Sequence, residues 1–321
     1  MDTIESNQPK LSQTDSSRQA LELMMAELLQ DRRKERRSKL ILRLATLLTV
    51  LVLAWVFSPH HGMSNVPTGP HTAVVEINGE IALDTEASAR ALISALKDAY
   101  ESPTSVAVML RINSPGGSPV QAGMVNDEIR RLKALHKKKT YAVVEEICAS
   151  GAYYIAVAAD EIYVDKASLV GSIGVLMDGF GFTGTMEKLG IERRLITAGE
   201  NKGMLDPFSK QNEKERAYAQ ALIDQIHAQF IAVVKAGRGD RLKITENTFS
   251  GLFWNGEEAV SMGLVDGLGN ADYVSRELIE APELVDYTPH ENVAERLAKR
   301  FGAAMGTSMV RPLLHSAAVI R

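Results

Sequence analysis

Three scarcities in this chain each exclude a class of protein. The only cysteine is Cys148, so the sequence has no internal disulfide and no CxxC pair for zinc or redox chemistry. Residues 137–226 contain no histidine, which leaves the middle of the chain without the usual partner of a catalytic serine. The net charge of -4 lacks the basic excess typical of nucleic-acid binding, so no nucleic-acid partner is expected.

One long apolar run, at residues 40–57, predicts a single transmembrane helix. At about 1.5 Å per residue it rises roughly 27 Å, close to the hydrocarbon thickness of a bilayer. Basic residues crowd positions 32–39, whereas no Lys or Arg occurs between Arg43 and Arg90. The positive-inside rule therefore predicts an uncleaved anchor with a cytoplasmic N-terminus and a translocated remainder.

The flanks of the anchor predict two polar segments. Residues 1–39 are interpreted as a cytoplasmic tail, and residues 58–71, rich in Pro, Gly, His and Ser, as a linker. The linker histidines have no acidic or cysteine companions, so we expect them to be solvated and to hold no metal: His60, His61 and His71.

Strand and helix patterns alternate from residue 72 onward, which predicts one α/β domain over residues 72–285 with a largely parallel sheet. Residues 286–321 are either an amphipathic helix or a tail. Strands are expected near residues 73–77, 105–112, 141–147, 161–164, 174–177 and 192–196, with helices near 87–100, 120–136, 150–159 and 212–236.

Two segments of this domain have the composition of a hydrolase site. Gly116 and Gly117 leave backbone N–H groups open, which suits an oxyanion but also an ordinary strand-to-helix turn. Ser150 opens an apolar helix, where it is either a nucleophile beside Gly151 or an N-cap.

A serine nucleophile needs a base, and a lysine can serve if burial lowers its pKa from about 10.4 toward neutrality. Spacing and composition do not choose among the lysines that follow Ser150, which are Lys166, Lys188, Lys202 and Lys210. A GxGxxG pattern at residues 179–184 has only Glu200 roughly placed for a ribose, and a translocated domain rarely meets free NAD. We therefore expect no cofactor.

Taken together, four segments resemble the bacterial signal peptide peptidase A family in its short, membrane-anchored form. The resemblance covers about residues 72–280. The matching segments are residues 113–117 (NSPGG), 148–154 (CASGAYY), 170–175 (VGSIGV) and 199–203 (GENKG).

The resemblance implies a Clp protease/crotonase-like α/β fold and an ATP-independent serine endopeptidase with a Ser/Lys dyad. We expect Glu200 to face solvent, because a buried carboxylate beside Lys202 would favour the charged lysine. The implied roles are a Ser150 nucleophile, a Lys202 general base, a Ser172 that orients the lysine, and oxyanion donors from Gly151 and either Gly116 or Gly117.

The same resemblance implies a homo-oligomer on the outer face of the bacterial inner membrane, with the dyad completed across a subunit interface. Its substrates would be remnant signal peptides and similar apolar peptides. Two alternatives are a crotonase-type acyl-CoA enzyme and a catalytically silent membrane scaffold. Translocation away from cytoplasmic CoA weighs against the first, and the presence of both Ser150 and Lys202 against the second.

Overall fold

The computed structural model describes residues 39–52 and 69–289, with residues 25 and 37 as isolated positions. The chain divides into two units, Met1–Met63 with Glu291–Arg321, and Ser64–His290. Nearly all of the predicted cytoplasmic tail, most of the linker and the segment after residue 289 lie outside the described residues.

In the first unit, residues 39–52 form helix α1 with exposed apolar side chains. Thr46 and Thr49 each donate a hydroxyl hydrogen bond to the carbonyl four residues earlier, at 2.8 and 2.9 Å, so their polar groups are satisfied within the helix. Within the described residues, no helix has the length and apolar content needed to cross a membrane. Residues 53–57 of the predicted span are not among them, and the anchor stays a prediction.

The second unit is built on an eight-stranded sheet in which every strand pair is parallel except β5 with β6. The main path runs β6-β5-β3-β2-β1-β8, and β4 joins β3 to β7. The strands are β1 (His71–Asn78), β2 (Ser105–Ser114), β3 (Thr140–Ala149), β4 (Glu161–Val164), β5 (Leu169–Gly171), β6 (Phe253–Trp254), β7 (Gly267–Leu268) and β8 (Leu284–Asp286). The prediction of an α/β domain with a largely parallel sheet is confirmed.

Helices connect the strands, and local sequence sets where the two long ones begin and end. The Ser118 hydroxyl accepts a bond from the Gln121 amide at the start of α3, and the Asn212 side chain caps α6 in the same way. Lys137 closes α3 in a left-handed conformation. The helices are α2 (Ala89–Glu101), α3 (Pro119–His136), α4 (Gly151–Ala156), α5 (Thr183–Lys188), α6 (Glu213–Arg238), α7 (Gly256–Ser261) and α8 (Ala271–Tyr273), which continues as a π-helical turn over Val274–Leu278.

The two faces of the sheet carry separate cores because successive side chains of a strand point to opposite sides. On one face, residues such as Val75 and Leu110 pack with α2, α3, α4 and α7 in a large buried cluster. On the other face, Val74 and Met109 pack in a smaller cluster with Val274 and its neighbours. Burial of each aliphatic side chain stabilises the folded state by about 1.5–3 kcal/mol relative to leaving that side chain exposed.

Three expectations from the sequence are wrong. Residues 174–177 and 192–196 are not strands; they are mostly exposed and pair with no other described strand. His71 does not lie in a solvated linker: it is the first residue of β1, fully buried, with Nε2 2.9 Å from the Tyr287 hydroxyl. The strong β pattern of residues 73–77 therefore extends two residues further toward the N-terminus than predicted.

Candidate active site

The predicted site segments meet at the carboxyl ends of three neighbouring strands. β2 ends at Ser114, β3 at Ala149 and β5 at Gly171, and these strands lie side by side in the order β5-β3-β2. Their residue pairing keeps the three ends level. The carboxyl edge of a parallel sheet is where α/β proteins usually place catalytic groups. The turn at Gly116 and Gly117, which we call the glycine turn, and both predicted serines, Ser150 and Ser172, converge there.

Ser150 has a strained backbone in the turn between β3 and α4, and we call residues 148–152 the nucleophile turn. Its φ of 54° and ψ of -122° are rare for any residue but glycine. Two hydrogen bonds hold it: the Ser150 amide donates to the Gly171 carbonyl at 2.9 Å, and its carbonyl accepts from the Tyr154 amide at 3.0 Å. A serine on a strained strand-to-helix turn is the arrangement that exposes a nucleophilic hydroxyl in hydrolases.

The Ser150 hydroxyl does not act as a helix cap. Ser150 stands at the N-cap position of α4, yet its side chain accepts no capping hydrogen bond. It is half-buried and makes no side-chain hydrogen bond within the described part of the chain. The N-cap alternative left open by the sequence is thus not realised, and the hydroxyl is available for chemistry.

Glycine is required at both positions of the turn after β2, because its backbone packs directly on its neighbours. Gly116 has φ 97°, and a Cβ there would lie 2.6 Å from the Ala149 carbonyl oxygen and 2.7 Å from the Gly151 nitrogen. Gly117 has φ 147°, and its Cβ would lie 2.2 Å from the Ile81 carbonyl oxygen. A side chain at Gly116 would push the glycine turn away from the nucleophile turn, and one at Gly117 would push it away from Ile81.

Hydrogen bonding distinguishes the amides of the two glycines, which the sequence could not do. The Gly116 amide donates to the Ser114 hydroxyl at 3.1 Å and is occupied. The Gly117 amide has no acceptor among the described residues, and its nitrogen lies 3.3 Å from where a Gly151 Cβ would be. The Gly151 amide belongs to the first turn of α4, where no intrahelical acceptor exists. Gly117 and Gly151 therefore provide a pair of open amides beside Ser150.

Cys148, two residues before Ser150, is not a competing nucleophile. It is fully buried in the large core cluster. Burial raises the pKa of its thiol well above the ordinary range, so the reactive thiolate does not form at neutral pH.

Ser172 follows β5 and lies directly beside the nucleophile turn. Its φ is 52°, its amide donates to the Leu252 carbonyl at 2.7 Å, and its carbonyl accepts from the Gly174 amide at 2.9 Å. Because the preceding residue, Gly171, accepts the Ser150 amide, the two serines share one hydrogen-bonded backbone framework. The Ser172 hydroxyl makes no hydrogen bond to another described residue.

Lys202 lies on a mostly exposed segment, residues 175–212, which we call the arm. The Lys202 amide donates to the Gly199 carbonyl, while its side chain is exposed. No hydrogen bond between Lys202 and Ser150 occurs within the described residues. Glu200 is exposed, as predicted. The rival lysines are exposed too: Lys166, Lys188 and Lys210.

Sequence reasoning missed one residue near the site, His227 on α6. Its Nε2 lies 3.0 Å from the carbonyl oxygen of Ile173, the residue after Ser172. His227 directly follows the stretch without histidine, and it precedes Phe230 and Val234 at helical spacing on the buried stripe of α6. That spacing could have indicated that His227 faces the domain, but only the fold shows that it lies next to the segment that contains Ser172.

Comparison with known sequences matches residues 133–284 to Peptidase_S49, described as Peptidase family S49. A putative protease of Methanocaldococcus jannaschii is 35% identical, over 64% of this chain and 67% of that protein. A putative signal peptide peptidase SppA of Enterococcus faecium is 30% identical, over 61% of this chain and 57% of that protein.

Higher identity is found to part of a larger protein. A protein named Na(+)/H(+) antiporter NhaA, from Brucella melitensis biotype 1, is 47% identical over 175 residues, which are 54% of this chain. The match spans only 24% of that protein's length.

Proposed function

Because the chain belongs to peptidase family S49, as its resemblance to signal peptide peptidase A predicted, we propose that it is a serine endopeptidase with Ser150 as nucleophile. The observation that carries the proposal is the Ser150 turn. A strained serine with an uncommitted hydroxyl lies beside two open amides, at the carboxyl edge of a parallel sheet.

In the proposed reaction, the Ser150 Oγ attacks the scissile carbonyl carbon and passes its proton to the neutral Nζ of Lys202. The carbonyl oxygen becomes an oxyanion that accepts hydrogen bonds from the Gly117 and Gly151 amides. The tetrahedral intermediate collapses as Lys202 returns the proton to the leaving amine. Water, deprotonated by the same lysine, then hydrolyses the acyl-enzyme ester and frees Ser150.

The base is proposed to come from a second copy of this chain. A general base must reach within hydrogen-bond distance, or one water, of the proton it takes, and a neutral lysine needs burial. Among the described residues of one chain, the Lys202 side chain is exposed and makes no hydrogen bond to Ser150. The arm that carries Lys202 has large exposed apolar side chains, among them Leu176, which is 80% exposed, and Ile196, which is 95% exposed. Exposed apolar residues of this kind are typical of surfaces that bind another protein.

The proposed setting is the outer face of a bacterial inner membrane, with residues 40–57 as the anchor and apolar peptides as substrates. The support is the basic flank before the apolar run and the absence of Lys and Arg between Arg43 and Arg90. Remnant signal peptides fit this setting because they are apolar and remain in the membrane after preprotein cleavage. A reporter enzyme fused after Arg321 should be active only outside the cytoplasm; activity inside the cytoplasm would refute the topology.

The function is tested on the full chain in detergent with an internally quenched apolar peptide. Ser150→Ala and Lys202→Ala should each lower kcat by roughly 10³-fold or more. Lys210→Ala is the matched control, because Lys210 is another exposed lysine of the arm, and it should keep wild-type turnover. Wild-type turnover in Ser150→Ala would refute the peptidase assignment, and in Lys202→Ala the dyad.

Sharing of the site is tested by co-expressing the Ser150→Ala and Lys202→Ala chains. In a mixed oligomer, the intact serine of one variant can meet the intact lysine of the other, so activity should return. If both single variants are inactive and the mixture stays inactive, the dyad forms within one chain and the shared site is wrong.

A further inference from the structure

His227 makes a single contact that reaches the candidate site. Its Nε2 lies 3.0 Å from the Ile173 carbonyl oxygen, in the segment that follows Ser172. A carbonyl oxygen can only accept, so Nε2 carries the hydrogen and donates it. The side chain is half-buried on the inward face of α6. No hydrogen bond joins it to Ser150 in the described part of the chain, so His227 does not take the place of the missing base.

The C-terminal half of α6 packs against the core of the domain at several positions. The Phe230 ring packs on Tyr154 of α4 with ring centroids 5.2 Å apart. Near the C-terminal end of α6, Gly237 packs so closely on Val157 that a Cβ on it would lie 2.2 Å from the Val157 carbonyl oxygen. Arg238 is 1% exposed and forms a bidentate ion pair with Asp266. From Phe230 to Arg238, α6 is therefore a rigid support against the helix that begins after Ser150.

His227 lies at the end of this support, where the chain leaves the packed domain. Ile173 is the last fully buried residue before the arm, and the part of α6 before residue 223 is largely exposed. The hydrogen bond thus closes residues 174–226 at their base, and Lys202 lies within that closed segment. It also holds the residue next to Ser172, whose neighbour Gly171 accepts the Ser150 amide.

We propose that His227 is a positioning residue of the peptidase site, which fixes the Ile173 carbonyl and thereby sets both the Ser172 turn and the base of the arm that carries Lys202. The inference rests on the proposed function, because it assigns His227 a part in the same reaction. His227 contacts no reacting atom in this arrangement and acts through the backbone of residues 171–174.

Two substitutions separate positioning from bulk stability. His227→Phe keeps the aromatic ring but removes the donor, whereas His227→Gln places an amide nitrogen near the position of Nε2. His136→Phe is the matched control, because the His136 Nε2 is buried and has no hydrogen-bond partner among the described residues. All are compared in the full chain in detergent, with Ser150→Ala as the inactive reference.

His227→Phe should lower kcat by about 10- to 100-fold with KM unchanged within about twofold, since a displacement near 1 Å costs this much in catalysis. His227→Gln should recover most of the loss, and His136→Phe should keep the wild-type kcat. Hydrogen exchange gives a readout without activity: the amides of Ser150, Ser172 and Gly174 should exchange faster in His227→Phe and return toward wild type in His227→Gln.

The outcomes are distinguishable from a failure of the proposed function. If Ser150→Ala turns over like wild type, the proposed function fails and the role of His227 fails with it. If Ser150→Ala is inactive while His227→Phe keeps wild-type kcat and exchange, the inference alone is overturned. Equal losses in His227→Phe and His227→Gln would also overturn it, because the hydrogen bond would then not be what matters.

Discussion

The nucleophile turn and the arm carry the two halves of one proposed reaction, yet they are built in opposite ways. Around Ser150 the backbone packs so closely that neither Gly116 nor Gly117 has room for a methyl group. Around Lys202 most residues of the arm are exposed and none is fully buried. The first half is fixed by contacts within one chain, and the second is not. If Lys202 is the base of the proposed reaction, its geometry is therefore set by contacts outside the described residues of this chain.

The largest expected difference between the two regions is in how much stability is lost when one methyl group is added to each. Gly117→Ala should lower the free energy of unfolding by about 5 kcal/mol or more, because the new Cβ would meet the Ile81 carbonyl oxygen at a φ that alanine rarely adopts. Gly184→Ala on α5 of the arm has nothing within 4 Å and should leave stability unchanged or slightly raised. Denaturant unfolding of both variants is the measurement. Equal stabilities would show that the glycine turn is not closely packed.

The packed domain and the arm each contain an ion pair, and the stability lost on breaking them should differ by several kcal/mol. Asp266→Asn leaves the buried Arg238 without its carboxylate, which costs about 3–5 kcal/mol at neutral pH. Asp206→Asn removes the carboxylate that pairs with Arg193 on the arm; because the Arg193 side chain is 43% exposed and stays hydrated, stability should change little. A loss in Asp206→Asn as large as in Asp266→Asn would mean that the arm is packed as tightly as the domain.

The Arg238–Asp266 pair makes the stability of the fold depend on pH, and the direction of that dependence can be predicted. Burial acts to raise the pKa of Asp266, but the hydrogen bonds and charge of Arg238, with help from the Ile162 amide and Arg241, hold it below the ordinary 3.8. A carboxyl with a lowered folded-state pKa stabilises the fold above its unfolded value and loses that contribution as pH falls through the folded value. Wild type should therefore lose more stability than Asp266→Asn on acidification below about pH 4. Parallel acid-unfolding curves would contradict this.

How far the sequence predicts this fold differs between the same two regions. In the domain, apolar runs locate β1 to β4 and the helices between them, because burial on both faces of the sheet imposes the pattern. The short strands β5 to β8 carry two or three residues each and no readable periodicity. In the arm, residues 192–196 have strand-like composition but no partner strand among the described residues, and composition alone does not make a strand.

For the site, the sequence locates residues but not their contacts. It places Ser150 and the glycines Gly116 and Gly117 after predicted strands, and the structure brings these residues together. It cannot show that the Ser114 hydroxyl occupies the Gly116 amide, since that depends on a bond between side chain and backbone. His227 was missed because a helical histidine near an apolar stripe usually belongs to the core.

Backbone strain offers a smaller, sharper test of the comparison. At Ser150, glycine should be more stable than alanine by about 1 kcal/mol, because φ 54° costs alanine strain that glycine avoids. At Lys202, glycine should be less stable than alanine by a few tenths of a kcal/mol, because no such strain is present and glycine has more entropy to lose. Thermal unfolding of the four variants checks both signs. Alanine more stable than glycine at Ser150 would mean that the turn relaxes without its hydroxyl.

The smallest expected change in stability concerns the apolar side chains of the arm. Leu176→Gln and Ile196→Gln should alter the unfolding free energy of the chain by no more than about 0.5 kcal/mol, because these residues are 80% and 95% exposed. If a second copy covers this surface, the same variants should nevertheless sediment as smaller species and lose turnover. Leu135→Gln on α3, 62% exposed and outside the arm, is the matched control and should change neither.

This pairing of a negligible stability effect with a large effect on assembly is what an interface predicts and a loose loop does not. A residue that only fills a solvated loop can be replaced without consequence, whereas one that another copy buries loses contact area only in the assembly. If Ile196→Gln sediments and turns over as wild type, the arm does not bind a second copy through these residues. Lys202 would then have to reach Ser150 by folding of the arm onto its own domain.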